Sequence, residues 1–251
     1  MTPFHGVFTV FTMTDTRDRI LACACDLYLE DGFEGFSMRK LARAVGVTAP
    51  ALYRHFESKE QLLLEVVGEG YKVFIQYLHR GLSGADPLDR FRMAGAAYLD
   101  FALEHPRYYE ILYSYIQFLG LEELPTEIEP LAAGIHQFWL DRVRECMDAG
   151  VLVPEDPEAV SRTFWALSHG LITIYQRGML VMPEEEFKLE FMRAAGRLLM
   201  GVGSDELVTE MKAAQDEQSG GAGTAMEPGS EKEVDERGAS GRLSLVKEGD
   251  G

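Results

Sequence analysis

What the 251-residue sequence lacks narrows its roles before any motif is read. No apolar run reaches the roughly 20 residues that a bilayer-spanning helix needs, so no membrane partner is expected. Three cysteines, Cys23, Cys25 and Cys146, give no even framework and no Cys-x-x-Cys pair. That argues against structural disulfides and thiolate metal sites, and for small buried thiols in a reducing cytoplasm. Cations are scarce as well: 24 Lys and Arg stand against 41 Asp and Glu, a net charge of −17. A chain so acidic repels nucleic acid as a whole, so any contact with DNA has to be local. Catalytic equipment is also missing, with no nucleophile–base–acid set, metal-ligand cluster or phosphate loop. Ser168 and His169 adjoin in sequence, but neighbours on a helix point to different faces. Neither an enzyme nor a bound cofactor is expected.

No alternating strand pattern and no Asn-Gly hairpin signal occurs at any length, so the fold class is all-α. Residues 1–15 are apolar but lack the basic segment of a secretory signal. They read as a flexible extension, with Met13 as an alternative start. From Thr16 the pattern is helical: Ile20, Ala24, Leu27 and Tyr28 recur at helical spacing until Gly32. Ser37 caps a short second helix that ends at Gly46. Thr48 caps a third, with Pro50 in its first turn, where the missing N–H costs nothing. Ser58 caps a long fourth helix with an apolar stripe from Leu63 to Leu78. Beyond the GLSGADP break, further helices are expected over 88–104, 107–119, 130–149, 157–180 and 184–200, separated by Pro and Gly. The last 39 residues hold nine acids, four bases, eight glycines and no aromatic. Such a stretch cannot bury enough apolar surface to offset its ordering entropy. The resulting division is an extension 1–15, a small domain 16–62, a larger helical domain 63–205 and a disordered acidic tail 206–251.

One stretch departs from the charge of the whole. Between Phe36 and Phe56 stand Arg39, Lys40, Arg43 and Arg54, with no acid. The two short helices there, joined by a tight glycine turn, make a helix-turn-helix, whose second helix enters a DNA major groove. Ala49, Pro50 and Ala51 are small enough to let that helix approach base edges closely. Its N-terminal N–H groups favour phosphate. Tyr53, Arg54 and His55 lie off the Leu52/Phe56 core face, and Lys59 opens the next helix. Carboxylates at this place would repel phosphate at short range.

The segment 16–62 resembles the DNA-binding domain of the TetR (tetracycline-repressor-like) family of transcriptional regulators. The resemblance rests on Asp31-Gly32-Phe33, on SMRKLARAVGV, and above all on Leu52-Tyr53-Arg54-His55-Phe56 followed by Ser58-Lys59. It implies that Thr48, Tyr53, His55 and Lys59 bind phosphates, and that Arg39 with Ala49, Pro50 and Ala51 lies at base edges. The Ala-Pro-Ala tip carries few hydrogen-bonding groups. Specificity is therefore expected to lean on Arg39, Arg54, methyl contacts to thymine and DNA shape.

The resemblance also implies that the remainder binds an effector and forms a homodimer. FALEHPRYYEILYS and the Trp165-x-x-x-His169-Gly170 motif are similar to a recurrent C-terminal subtype of the family. Tyr98, Tyr109, Tyr113, Phe138, Trp139, Trp165 and His169 are the candidate pocket residues, most of them expected to be core as well. With few internal cations, the effector is expected to be small and neutral or hydrophobic. Phe164, Leu167 and Leu171, with Phe187, Phe191, Ala194 and Leu198, are the candidate dimer stripes of a four-helix interface. The function expected is a repressor released from a near-palindromic operator by its effector. The alternative is a DNA-bound architectural or protein-recruiting factor that answers to no small molecule.

Overall fold

Helix is almost the whole of the regular structure in the computed structural model, which describes residues 16–118 and 125–220. The extension 1–15, the stretch 119–124 and the tail residues 221–251 lie outside the described residues. Helix α1 (Thr16–Gly35) turns Ile20, Ala24 and Tyr28 inward and is kinked at Gly32, where φ is 69°. In front of α2 (Met38–Val45), the Ser37 hydroxyl accepts the Lys40 N–H at 3.2 Å. Gly46 ends α2 with φ 79°, a left-handed conformation that costs other residues about 1–2 kcal/mol. For α3 (Ala49–Tyr53) the cap is Thr48, whose hydroxyl accepts the Ala51 N–H at 3.3 Å. Ser58 caps α4 (Lys59–Arg80) by accepting the Gln61 N–H at 3.1 Å, and the Gln61 side chain accepts the Glu57 N–H at 2.5 Å. Each such cap contributes about 1 kcal/mol. Leu52 and Phe56 are fully buried, each worth about 1.5–3 kcal/mol, and hold α3 against α2 and in the shared core.

The larger part is built from α5 (Pro87–Glu104), α6 (Pro106–Phe118), α7 (Glu129–Asp148), α8 (Pro157–Gln176) and α9 (Glu184–Val202). Asp86 and Asp156 cap α5 and α8, each just before a proline in the first turn. The long α4 packs on α1, α5, α6 and α7, while α8 packs on α7, α9 and α5. Phe74 of α4 stacks on Phe101 of α5 at 4.6 Å, and Tyr175 of α8 on Phe187 of α9 at 3.9 Å. Among the described residues, those up to Glu210 form one compact unit and those from Met211 a second.

Several sequence expectations are corrected here. The boundary at 62/63 falls inside α4, which belongs to both parts. Helix α8 stops at Gln176, four residues early, because Gly178 turns left-handed at φ 71°. A further helix, α10 (Asp205–Gly220), occupies the start of the segment expected to be disordered. It forms because Ser204 caps it, Asp205 and Glu206 suit its positive end, and Leu207 is buried. Phe164, Phe187 and Phe191 of the expected dimer stripes are buried within the single chain, so they are core. Leu167, Leu171, Ala194 and Leu198 stay half-buried, and the large apolar side chains left exposed on the same two helices are Trp165, Leu189 and Met192.

Two glycines, Gly81 at the end of α4 and Gly95 inside α5, give a stability test. A Cβ at Gly81 would stand 2.8 Å from the Ala94 backbone, whereas one at Gly95 meets nothing within 4 Å. Gly81→Ala is expected to lower stability by about 1–3 kcal/mol through overpacking. Gly95→Ala, inside α5, is expected to raise it by about 0.5–1 kcal/mol. Urea denaturation of both variants measures the opposite signs.

Candidate nucleic-acid interface and internal cavity

The carboxylate-free stretch is a solvent-facing surface. Arg39 and Arg43 of α2, Thr48, Pro50, and Tyr53, Arg54 and His55 are exposed, while Ala49, Ala51 and Lys59 are half-buried. Tyr53 is 53% exposed, a large aromatic that no core contact explains. Lys40 is tied to Asp31 at 3.1 Å, but Arg39, Arg43 and Arg54 enter no ion pair among the described residues. Their guanidinium groups are open to an outside anion. One expectation is weakened. With five residues, α3 has little macrodipole, and the Thr48 cap already takes the Ala51 N–H. Attraction for phosphate rests on the exposed cations.

The larger part holds a half-open cavity of about 390 Å³, within the size range of small-molecule sites, with exposed His136, Arg162 and Trp165 at its mouth. Of the seven candidate pocket residues, Tyr98, Tyr113, Trp139 and Trp165 line it. Tyr109 and His169 stand behind the lining as part of its polar network. Tyr98 Oη lies 2.9 Å from Tyr113 Oη and 3.3 Å from Tyr109 Oη, and Tyr109 Oη lies 2.7 Å from His169 Nδ1. Trp165 stacks on His169 at 5.5 Å, one turn apart on α8. Phe138 is not on the lining. It faces Trp139 edge-on, with Arg142 over its ring at 4.9 Å.

Sequence reasoning missed the rest of the wall: Tyr71 and Phe74 of α4, Leu112, Ala132 and Ile135, and a polar rim of His136, Glu158, Ser161 and Arg162. Tyr71 and Phe74 had a signal, the apolar stripe of α4, but it reads the same for core and for pocket. The rim residues had none, since charged positions on α7 and α8 look like an ordinary solvated face. The hydroxyls in the wall are neutral donors, because burial pushes Tyr71 up to about 12 and raises Tyr98 and Tyr113.

A second polar cluster joins α4 to the α5–α6 corner. The Tyr77 hydroxyl donates to Glu104 at 2.5 Å and lies 3.1 Å from His105 Nε2, with Arg80 over the Tyr77 ring at 4.0 Å. Nearby, Asp26 of α1 pairs with Arg107 of α6, linking the small helical head to the larger part.

Burial holds the His169 imidazole below its ordinary range. His105 is lowered by burial and by Arg80, against the opposing pull of Glu104. Both rings are therefore favoured as neutral in the folded chain, while the unfolded chain takes up protons near the ordinary value of about 6.5. Stability from these groups is present above that pH and falls as the pH drops through the folded values. Thermal melts are expected to show a decline in Tm on acidification below about pH 6.5. His169→Gln should remove part of that decline, and an unchanged pH profile in this variant would refute the assignment.

The comparisons with known proteins follow the same division. Residues 20–66 match the family described as bacterial regulatory proteins, tetR family. Residues 91–198 match the tetracyclin repressor-like C-terminal domain. The chain is 30% identical over 92 residues to the HTH-type transcriptional activator FasR of Mycolicibacterium smegmatis, a match spanning 36% of this chain and 42% of FasR. It is 25% identical over 142 residues to the HTH-type transcriptional repressor KstR2 of Mycobacterium tuberculosis, 55% of this chain and 70% of KstR2. The solved structure of KstR2 from that organism shares the fold with a TM-score of 0.63 at 21% identity, covering 77% of this chain and 97% of that one. AibR, solved in complex with isovaleryl coenzyme A and operator DNA, gives 0.58 at 22% identity over 71% of this chain and 96% of its own. The two family matches together take in more than half of the 251 residues, the first running into α4 and the second beginning in α5, and the chain belongs to the TetR family of bacterial regulatory proteins.

Proposed function

We propose that the protein is a cytoplasmic transcriptional regulator, a homodimeric repressor that leaves a near-palindromic operator when a small molecule fills its cavity. The observation that carries this reading is one helix with two environments. The N-terminal half of α4 anchors the helix-turn-helix through Leu62, Leu63 and Val66, while Tyr71 and Phe74 further along belong to the cavity wall. A ligand that favours one placement of Tyr71 and Phe74 shifts the population of head positions. In this reading Thr48, Tyr53, His55 and Lys59 hold phosphates, and Arg39, Arg54 and the Ala49–Pro50–Ala51 tip meet base edges. The larger domain belongs to the subtype with Trp165, His169 and Gly170, all within the matched 91–198 segment. Dimer contact runs through α8 and α9, supported by the apolar side chains exposed there. Among the described residues no helix is long and apolar enough to cross a membrane.

AibR, bound to both a coenzyme A ester and operator DNA, lends support to a ligand-responsive mechanism on this fold. The architectural alternative needs a filled interior, and the cavity of about 390 Å³ counts against it.

The test is operator affinity against salt, using DNA fragments selected by the purified protein. Fluorescence anisotropy is expected to give log K falling linearly with log salt, with a slope of about −0.9 per neutralised phosphate. Lys59→Ala should weaken binding across sequences and reduce the slope by about 1, whereas Arg39→Ala should also relax sequence preference. A flat salt dependence would sink the proposal.

A further inference from the structure

We infer that the cavity is built for an organic carboxylate: an apolar aromatic or alicyclic body held among Tyr71, Phe74 and Trp139, with its carboxylate on Arg162. This deepens the ligand-responsive reading above and rests on it, and it replaces the neutral or hydrophobic effector expected from the scarcity of cations, because Arg162 puts a cation on the lining.

The body of the cavity is apolar and aromatic, and the hydroxyls of Tyr98, Tyr109 and Tyr113 are engaged with one another or with His169. Tyr98 and Tyr113 pair at 2.9 Å, and Tyr109 is occupied by Tyr98 and His169. With those three hydroxyls spent within the wall, the charged groups that can read a polar end of the ligand lie at the rim. There Arg162 stands out. Glu158 lies one turn before it on α8, the spacing at which acid and base pair on a helix surface. Glu158 is instead turned across to His136 of α7, at 3.1 Å. Arg162 makes no ion pair or hydrogen bond among the described residues. In a chain with 41 acids and 24 bases, this guanidinium lines the cavity without a carboxylate of its own. A guanidinium offers five N–H donors in a planar fork that matches a carboxylate, and such a charge-assisted pair is stronger than a neutral one. Ser161, next to it and also on the lining, can add a hydroxyl donor. Trp165, one turn further on, brings the aromatic wall up to the same rim.

The molecule carries its own reporter. Its two tryptophans, Trp139 and Trp165, both line this cavity, so a change in tryptophan fluorescence reads its occupancy. The experiment titrates the full-length protein with cinnamate, phenylacetate and octanoate. Beside them run the corresponding amides and coenzyme A thioesters, for wild type, Arg162→Gln and Arg162→Lys. At least one acid is expected to change the fluorescence saturably and to raise Tm, with its amide about tenfold or more weaker. Arg162→Gln should lose that preference, binding acid and amide alike, while Arg162→Lys keeps part of it. Amides binding as well as acids, binding by thioesters alone, or no response to any acid overturns the carboxylate assignment. Conversion of Arg162→Gln to a monomer in sedimentation, with acid affinity unchanged, assigns Arg162 to a contact between copies and also overturns it. Salt-dependent operator binding in the same preparation keeps the regulator reading standing in each of these cases, and its absence removes both.

Discussion

The burial of helix α4 is the constraint on which the remainder depends. Twenty-two residues run without a break from Lys59 to Arg80, and α4 packs on α1, α5, α6 and α7. Neither part has a complete core without it. Leu62, Leu63, Val66 and Val67 close the small helical head, and Phe74, Tyr77 and Leu78 close the body. One continuous core runs from the head into the body along this helix, so α4 cannot shift at one end without a cost at the other, because interiors are packed too densely to absorb the movement. The Asp26–Arg107 pair between α1 and α6 adds a second tie across the same junction.

Charge is distributed in the opposite sense to the average. The chain carries a net −17, yet its helix-turn-helix surface is cationic because acids are absent there. Local fields decide short-range contacts, whereas the global charge sets long-range repulsion and is screened beyond about 10 Å in ordinary salt. The cavity is the reverse case: burial keeps the tyrosine hydroxyls of its wall neutral, and charge is confined to the rim.

Much of the head was legible in the sequence, for a physical reason. Ser37, Thr48 and Ser58 sit where a hydroxyl is needed to satisfy orphan N–H groups, and Gly46 where the backbone turns left-handed. These are local rules, decided within four residues of chain. The larger domain was legible only as helices, since the role of a buried face depends on what packs against it. Phe187 and Phe191 show this: their spacing marks an apolar stripe, but it does not say whether α8 of the same chain or a second copy covers it. Arg162 and Glu158 show it again, because only the turn of Glu158 towards His136 distinguishes one guanidinium from the other solvated charges. The start of the tail was misread on composition. Its glycines lie further on, while the first turns of α10 have a cap, acids at the positive end and a buried Leu207.

The place of Phe74 along α4 has a mechanical consequence. From Phe74 to Lys59 is 15 residues of continuous helix, about 22 Å at 1.5 Å per residue. A rod of that length pivoting by about 5° at the cavity displaces its other end by about 2 Å, by the same rise per residue. In the proposed homodimer, two such rods would change the span between their tips by up to twice that amount. The chemistry at the cavity therefore has only to tilt a ring, while geometry supplies the gain that a groove spacing can register.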